Sequence, residues 1–213
     1  MLQLCYSPGT ASMIPHLLLR EMGLPFELRL FDTEQQAHRS AEYLRLNPNG
    51  QIPTLIDDDL VIYETAAICL HLADQHPAAG MAPALGSVER AHFYKWLMWL
   101  NNTLQTTLIV YFYPDRWADD EAAIAQVQQH AEAKVGKLLD LLDAELARHG
   151  GEWLQGDRYS VLDAYTFVLC RWTRRFARPA RDLPHLGPYL RRILARPATQ
   201  QMLAGEGLPE PWI

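Results

Sequence analysis

The chain is poor in thiols and in positive charge. Its cysteines are Cys5, Cys69 and Cys170: odd in number, widely spaced, and set among apolar neighbours such as Leu4, Val168 and Leu169. The absence of a Cys-x-x-Cys pair excludes the simplest dithiol redox mechanism, and free buried thiols in a reducing cytoplasm are expected. A formal net charge of −6 removes the basic surface that nonspecific nucleic-acid binding needs. No apolar run is long enough to span a bilayer, and the N-terminus shows no charged segment followed by an apolar one. A soluble, unprocessed protein with no membrane partner is expected. The 8 histidines contain no His-x-x-x-His or comparable helical pair, so no dedicated metal site is expected. Internal repeats and low-complexity tracts are also missing. What the chain has is core-forming residues: 49% hydrophobic over 213 residues, enough for one large domain or two small ones.

The densest local signal is Asn47-Pro48-Asn49-Gly50-Gln51-Ile52-Pro53-Thr54-Leu55, followed by Asp57-Asp58-Asp59 and Tyr63-Glu64-Thr65. Asn-Pro and Asn-Gly mark turns, a strand starts after Pro53, the acidic triplet suits a hairpin, and a helix opens at Glu64-Thr65. Both ends of this unit can bind a ligand through backbone. A cis Ile52–Pro53 bond would leave the N–H and C=O of Ile52 to pair with an extended peptide, as a strand would. The first turn of the helix after Tyr63 has unpaired N–H groups, and the Thr65 hydroxyl adds a donor for a carboxylate. Most X-Pro bonds are trans, so the reading rests on Pro53 together with Glu64 and Thr65. The expected ligand is a short anionic peptide.

Hydrophobic periodicity orders the first part of the chain as β-α-β-α-β-β-α. Leu2 to Tyr6 and Phe26 to Phe31 read as extended, Ser12 to Met22 and Ser40 to Leu46 as helical, and two strands and a helix from Glu64 to about His76 follow. This order matches a thioredoxin-like α/β domain, a mixed sheet covered by helices. Pro77 to Gly86 has the proline and small-residue content of a linker. The expected division is residues 1–78, a linker at 79–86, and an all-helical domain at 87–213. Its helices are expected at Ser87 to Phe112, Asp119 to Arg148 with a stop at Gly150-Gly151, Ser160 to Phe176, Leu186 to Leu194, and from Pro197. Ser160-x-x-Asp163 is a capping box with a structural role, worth about 1–2 kcal/mol.

At Ile52-Pro53 and Glu64-Thr65 the chain resembles the glutathione S-transferase family. The resemblance extends to Leu4-Cys5-Tyr6-Ser7-Pro8-Gly9 with Pro15-His16, to the Asn-Pro-x-Gly turn, and to Ser160-Val161-Leu162-Asp163-Ala164, so it covers nearly the whole chain. It implies a thioredoxin-like N-terminal domain, an all-α C-terminal domain, and a cytoplasmic, homodimeric transferase of detoxification with glutathione as co-substrate and no metal. It also implies that Ile52, before Pro53, pairs with the cysteinyl part of glutathione, while Glu64 and Thr65 hold its γ-glutamyl end. His38 and Gln51 would serve the glycyl end.

Such an enzyme must ionise a thiol whose pKa is otherwise about 8.5. A hydroxyl donor and a helix N-terminus can do this, and the turn from Tyr6 to Ser12 offers both. Starting the helix at Ser12 as N-cap puts Pro15 in the first turn, where its missing N–H is harmless. The beta subgroup, which this N-terminus resembles most, has a cysteine where this chain has Ala11, so a hydroxyl must manage the sulfur. Ser12 is the first candidate and Thr10 the second, ahead of Ser7 and Tyr6; Ser12 can cap the helix and still donate to a thiolate.

A small apolar electrophile is expected between the domains, against Tyr111, Tyr113, Trp117 and Trp172. Gln105 stands where the beta pattern has a histidine, and it can bind a substrate through its amide. Arg171, Arg174, Arg175 and Arg178 read as a solvated helix face, with Arg171 or Arg175 holding an anionic substrate as the alternative. Two other readings keep the fold and change the function: a non-catalytic binding or regulatory protein, and a glutathione-dependent isomerase or disulfide reductase.

Overall fold

Strand β1 (Leu2–Tyr6) lies inside a four-stranded sheet of order β2-β1-β3-β4, with β2 at Phe26–Leu30, β3 at Thr54–Asp57 and β4 at Leu60–Tyr63. In this computed structural model, which describes residues 1–213, β1 and β2 run parallel and the pairs β1–β3 and β3–β4 run antiparallel. Helix α1 (Met13–Glu21) makes the crossover from β1 to β2, and α2 (Ala41–Leu46) and α3 (Thr65–Gln75) complete the expected order. Successive residues of a strand face opposite sides of a sheet, so Leu4 and Cys5 enter different cores. Leu4 packs with Leu19, Leu55, Ile68 and Leu72, and Cys5 packs with Phe31 and Tyr43. Each buried aliphatic side chain contributes roughly 1.5–3 kcal/mol.

Strand register decides where the loops gather. Cys5 pairs with Thr54, and Thr54 with Tyr63, so Tyr6, Pro53 and Glu64 leave the sheet at one end. Because Tyr6 is also level with Leu30 on the parallel neighbour, the segment after β2 leaves there too.

The second series of helices is α4 (Val88–Trp99), a π-helical segment Leu100–Gln105, α5 (Thr106–Phe112), α6 (Glu121–His149), α7 (Val161–Trp172), α8 (Leu186–Leu194) and α9 (Pro197–Gly205). Asp120 caps α6 by accepting from Ala123 N–H at 2.8 Å. Gly150, at φ 63°, ends it in the left-handed conformation that glycine tolerates.

The chain forms two compact units, Met1–Ala82 with Leu194–Glu210, and Pro83–Ile193 with Pro211–Ile213. The helix α9, expected with residues 87–213, therefore clusters with the first unit. There it packs on α1 and buries Ala198, Met202 and Leu203.

Three local expectations need correction. The helix expected over Ser87 to Phe112 carries the π-helical segment. The helix α7 ends at Trp172 instead of Phe176, with Thr173 N–H bonded to Cys170 O and Phe176 N–H to Thr173 O. Arg171 is only 2% exposed, so it does not belong to a solvated face; Arg178 is exposed and pairs with Asp140 at 2.7 Å.

Candidate active site at one end of the sheet

The turn from β1 into α1 is tied to Ser7. Ser12 Oγ donates to Ser7 O at 3.1 Å and accepts from Ser7 N–H at 3.3 Å. Thr10 Oγ1 donates to Ser7 O at 2.8 Å and lies 2.9 Å from Ser12 Oγ. The Ser7 hydroxyl accepts from Thr33 N–H at 3.2 Å, which fastens the turn to the segment after β2. Ser12 does precede the first helical residue, but its side chain makes no cap hydrogen bond, because that hydroxyl is committed to Ser7. Ser12 is fully buried, whereas Thr10 and Ala11 are partly exposed. The Ala11 N–H donates to no protein group. Tyr6 is partly exposed as well. Burial, and after it the Glu206 carboxylate, push its phenol above the ordinary range.

The Asn-Pro-Asn-Gly turn is braced from inside. Asn47 Oδ1 accepts from Asn49 N–H at 3.0 Å, and Asn47 Nδ2 donates to Gln51 O at 2.8 Å. Tyr43 OH donates to the same carbonyl at 2.6 Å. Gly50 sits at φ 58°, and a Cβ there would approach His38 O to 3.1 Å and Arg39 Nη1 to 2.9 Å, so a larger residue would be strained in its backbone and would crowd the His38 carbonyl. The Ile52–Pro53 bond is cis. Strand pairing starts only at Thr54, and the N–H and C=O of Ile52 bond to nothing in the protein.

Glu64 is exposed and has φ 73° and ψ 114°. A non-glycine residue held in this sparsely populated region costs of order 1–3 kcal/mol, and such positions cluster at ligand clamps. The first intrahelical bond of α3 is Ile68 N–H to Glu64 O, so the N–H groups of Thr65, Ala66 and Ala67 have no intrahelical acceptor. Thr65, the first helical residue, is 6% exposed. Gln51 is exposed and His38 half-buried. The His38 Nδ1 is buried without a partner. Burial, then the neighbouring Arg39, lower the His38 pKa, so its imidazole is neutral at pH 7.

The first unit thus brings Thr10, Ser12, Ile52, Pro53, Glu64 and Thr65 to one end of its sheet, with His38 and Gln51 beside them. In the second unit, Tyr111 packs on Phe176 at 4.3 Å between centroids with the rings tilted by 44°, and Phe112 meets Trp172 edge-on at 6.3 Å. Tyr111 and Phe112 are themselves in edge contact, so one aromatic cluster contains Tyr111 and Trp172. Tyr113 and Trp117 are exposed outside it, and the Arg116 guanidinium lies over the Tyr113 ring at 4.1 Å. Gln105 Oε1 lies 2.5 Å from Tyr165 OH, which also reaches Asn101 Oδ1 at 2.9 Å. Sequence reasoning missed Tyr165 and Phe176. The available signal for Tyr165 is its place seven residues before Trp172, two helical turns along the same stripe of α7.

Residues 11–75 match the glutathione S-transferase N-terminal domain, and residues 100–197 match the C-terminal domain of the same family. Over 207 residues the chain is 33% identical to glutathione S-transferase GST-4.5 of Xanthomonas campestris, a match covering 97% of this chain and 100% of the relative. The chain belongs to the glutathione S-transferase family. Among solved family structures, the glutathione S-transferase of Xylella fastidiosa is 32% identical, with a TM-score of 0.89 over 98% of this chain and 100% of that one. A sphingomonad glutathione S-transferase solved in complex with glutathione is 34% identical, with a TM-score of 0.83 over 97% of this chain and 100% of that one. The family fold, a thioredoxin-like domain with an all-α partner, is therefore present along the full chain.

Proposed function

We propose that this glutathione transferase binds glutathione across the loop end of its sheet and delivers the thiolate to an electrophilic carbon. The observation that carries the reading is the strand register, which gathers three sets of open backbone groups: the Ala11 N–H of the turn, the N–H and C=O of Ile52, and the N–H groups at the start of α3. The cysteinyl backbone pairs with Ile52, the γ-glutamyl carboxylate sits on the α3 N–H groups and the Thr65 hydroxyl, and Glu64 takes the α-ammonium. Gln51 and neutral His38 serve the glycyl end. The thiol proton passes to solvent, the sulfur lone pair forms the C–S bond, and the leaving group departs with its electron pair. The Ala11 N–H stabilises the thiolate together with the partly exposed Thr10 Oγ1, whose proton turns from Ser7 O to the sulfur when glutathione binds, while buried Ser12 sets the position of Thr10 through their 2.9 Å contact.

The second substrate is an apolar electrophile held on the helical unit by Tyr111, Trp172, Tyr113 and Trp117, with Gln105 offering an amide. The full-length likeness to transferases supports this reading over a scaffold, an isomerase or a reductase. A cytoplasmic homodimer belongs to the same proposal. It is supported by three free buried cysteines and by exposed Leu60 and Val61 on the edge strand β4; no helix is long and apolar enough to cross a membrane.

The test is the thiolate absorbance of bound glutathione as a function of pH, with conjugation of chlorodinitrobenzene followed in parallel. Wild type is expected to titrate below about 8.5. Thr10→Val is expected to raise the midpoint and reduce kcat roughly 10- to 100-fold, and Ser12→Ala to do less. A wild-type midpoint equal to that of free glutathione sinks the proposal, however tightly the peptide binds.

A further inference from the structure

The carboxylate of Glu206, just after α9, lies behind the turn and out of water. The side chains of Glu206 and His16 are both 0% exposed. One Glu206 oxygen accepts from Gly9 N–H at 2.9 Å, and the other is 2.9 Å from His16 Nδ1. His16 Nε2 accepts from Arg20 Nε–H at 3.4 Å, which puts the imidazole proton on Nδ1 and makes that nitrogen the donor to Glu206. A continuous line of bonds therefore runs from Arg20 through His16 and Glu206 to the backbone of Gly9. The imidazole is held edge-on between Tyr6 and Phe26, at 6.4 and 5.6 Å. Gly9 has φ +76°, a conformation that other residues rarely adopt. It immediately precedes Thr10, so a rotation at Gly9 would carry Thr10 Oγ1 and the Ala11 N–H with it.

A buried carboxylate is costly unless its oxygens are bonded. An apolar residue could close the end of α9 against α1 at lower cost. A carboxylate at this place serves the group it bonds, the backbone of the turn. We propose that Glu206 is a positioning residue for the reaction: it holds Gly9 from behind, with His16 fixing its orientation, so that Thr10 and the Ala11 N–H meet the glutathione sulfur in register. The inference rests on the assignment of this turn to the sulfur.

Charge and position act in opposite directions here, which makes the role measurable. The field of Glu206 reaches the mouth of the turn, where it helps to raise the Tyr6 phenol. A negative charge so close opposes a thiolate, so removing it lowers the thiol midpoint if charge alone matters. Losing the hold on Gly9 raises the midpoint.

The experiment compares full-length Glu206→Ala, Glu206→Gln and, as a packing control, Met202→Ala. Met202 is a fully buried residue of α9 whose side chain makes no bond to the turn. Each protein is titrated for bound-glutathione thiolate and assayed with chlorodinitrobenzene. Glu206→Ala is expected to raise the thiol midpoint by about one pH unit and lower kcat at pH 7 roughly tenfold, with KM for glutathione within about threefold. Glu206→Gln should fall between, since its amide oxygen can accept from Gly9 while its nitrogen cannot accept from His16. If the alanine variant does not fold, the glutamine variant carries the test. A midpoint that is unchanged or lowered in the Glu206 variants, or an equal rise in Met202→Ala, overturns the inference alone. A wild-type midpoint at the free-glutathione value overturns the underlying assignment, and this inference with it.

Discussion

At the start of α7, the Ser160 hydroxyl accepts from Leu162 N–H, and the Asp163 carboxylate accepts from Ser160 N–H, Leu154 N–H and Tyr189 OH at 2.7–2.8 Å. At the start of α1, Ser12 occupies the same position relative to its helix and caps nothing. Its hydroxyl turns back to Ser7, the Ala11 N–H has no partner in the protein, and the nearby buried carboxylate, Glu206, bonds to the turn from behind. Both helices thus begin on a serine with a buried carboxylate at hand. In α7 the donors and acceptors satisfy one another and the residues are buried throughout. In α1 the same kinds of residue are arranged so that one donor at the mouth, the Ala11 N–H, stays open, while Met13 and Ile14 N–H are bonded to Thr10 O and Ala11 O. A closed helix start adds stability; an open one can receive an anion.

The largest expected effect is on the closed side. Asp163→Ala leaves Leu154 N–H, Ser160 N–H and the Tyr189 hydroxyl unpaired in the core, and should lower stability by roughly 3–5 kcal/mol, read as a reduced urea midpoint. Retention on immobilised glutathione should persist wherever the variant is folded. Were Asp163→Ala as stable as wild type and impaired in glutathione binding, the distinction between the two helix starts would be lost.

Much of this arrangement is legible from sequence because its causes are local. Apolar periodicity marks the order of strands and helices, Ser160-x-x-Asp163 marks its own cap, and Gly150 marks the end of α6. The gathering of Pro53, Glu64 and Thr65 follows from strand pairing once the hairpin around Asp57-Asp58-Asp59 is assumed. The rest is tertiary. Whether Ser12 caps or turns inward depends on Ser7 and Thr33, and the His16–Glu206 bond spans 190 residues, so no local pattern announces it. The π-helical Leu100–Gln105 and the early end of α7 are likewise settled by neighbours, with Tyr165 OH bridging Asn101 and Gln105. Arg171 reads as solvated only because a run of arginines conceals its buried position.

An intermediate effect comes from a third helix start. The helix α3 is more open than α1: the N–H groups of Thr65, Ala66 and Ala67 have no acceptor, whereas Met13 and Ile14 N–H at the start of α1 are bonded to Thr10 O and Ala11 O, so Thr65 should behave as a ligand residue and Ser160 as a structural one. Thr65→Val is nearly isosteric and should weaken glutathione binding roughly tenfold by calorimetry, as expected for losing a hydrogen bond to a charged group, with little change in melting temperature. Ser160→Ala should do the reverse, costing about 1 kcal/mol of stability with glutathione affinity unchanged. If both substitutions moved the same observable, open and closed starts would not be separate designs.

The smallest effect tests whether the open end of the first unit also yields more easily to solvent. Cys5 lies on β1 just before the turn, and Cys170 lies near the end of α7; both are buried. Burial pushes the Cys5 thiol up to about 11, against an opposing pull from Arg29, and pushes Cys170 up further. A thiol with a raised folded pKa contributes stability that is present below its unfolded value and is lost as pH rises through the folded value. The urea midpoint should therefore be flat from pH 7 to 8 and fall above about pH 9. At pH 8 neither thiol of the native protein should react quickly with iodoacetamide. Because the thiolate is the nucleophile and exposure requires local opening, Cys5 should be alkylated several-fold sooner than Cys170. Peptide mapping over a time course gives the two rates directly. Equal rates would mean that both thiols are exposed through the same global opening, and that the open donors beside Cys5 belong to an end of the sheet no looser than the core of α7.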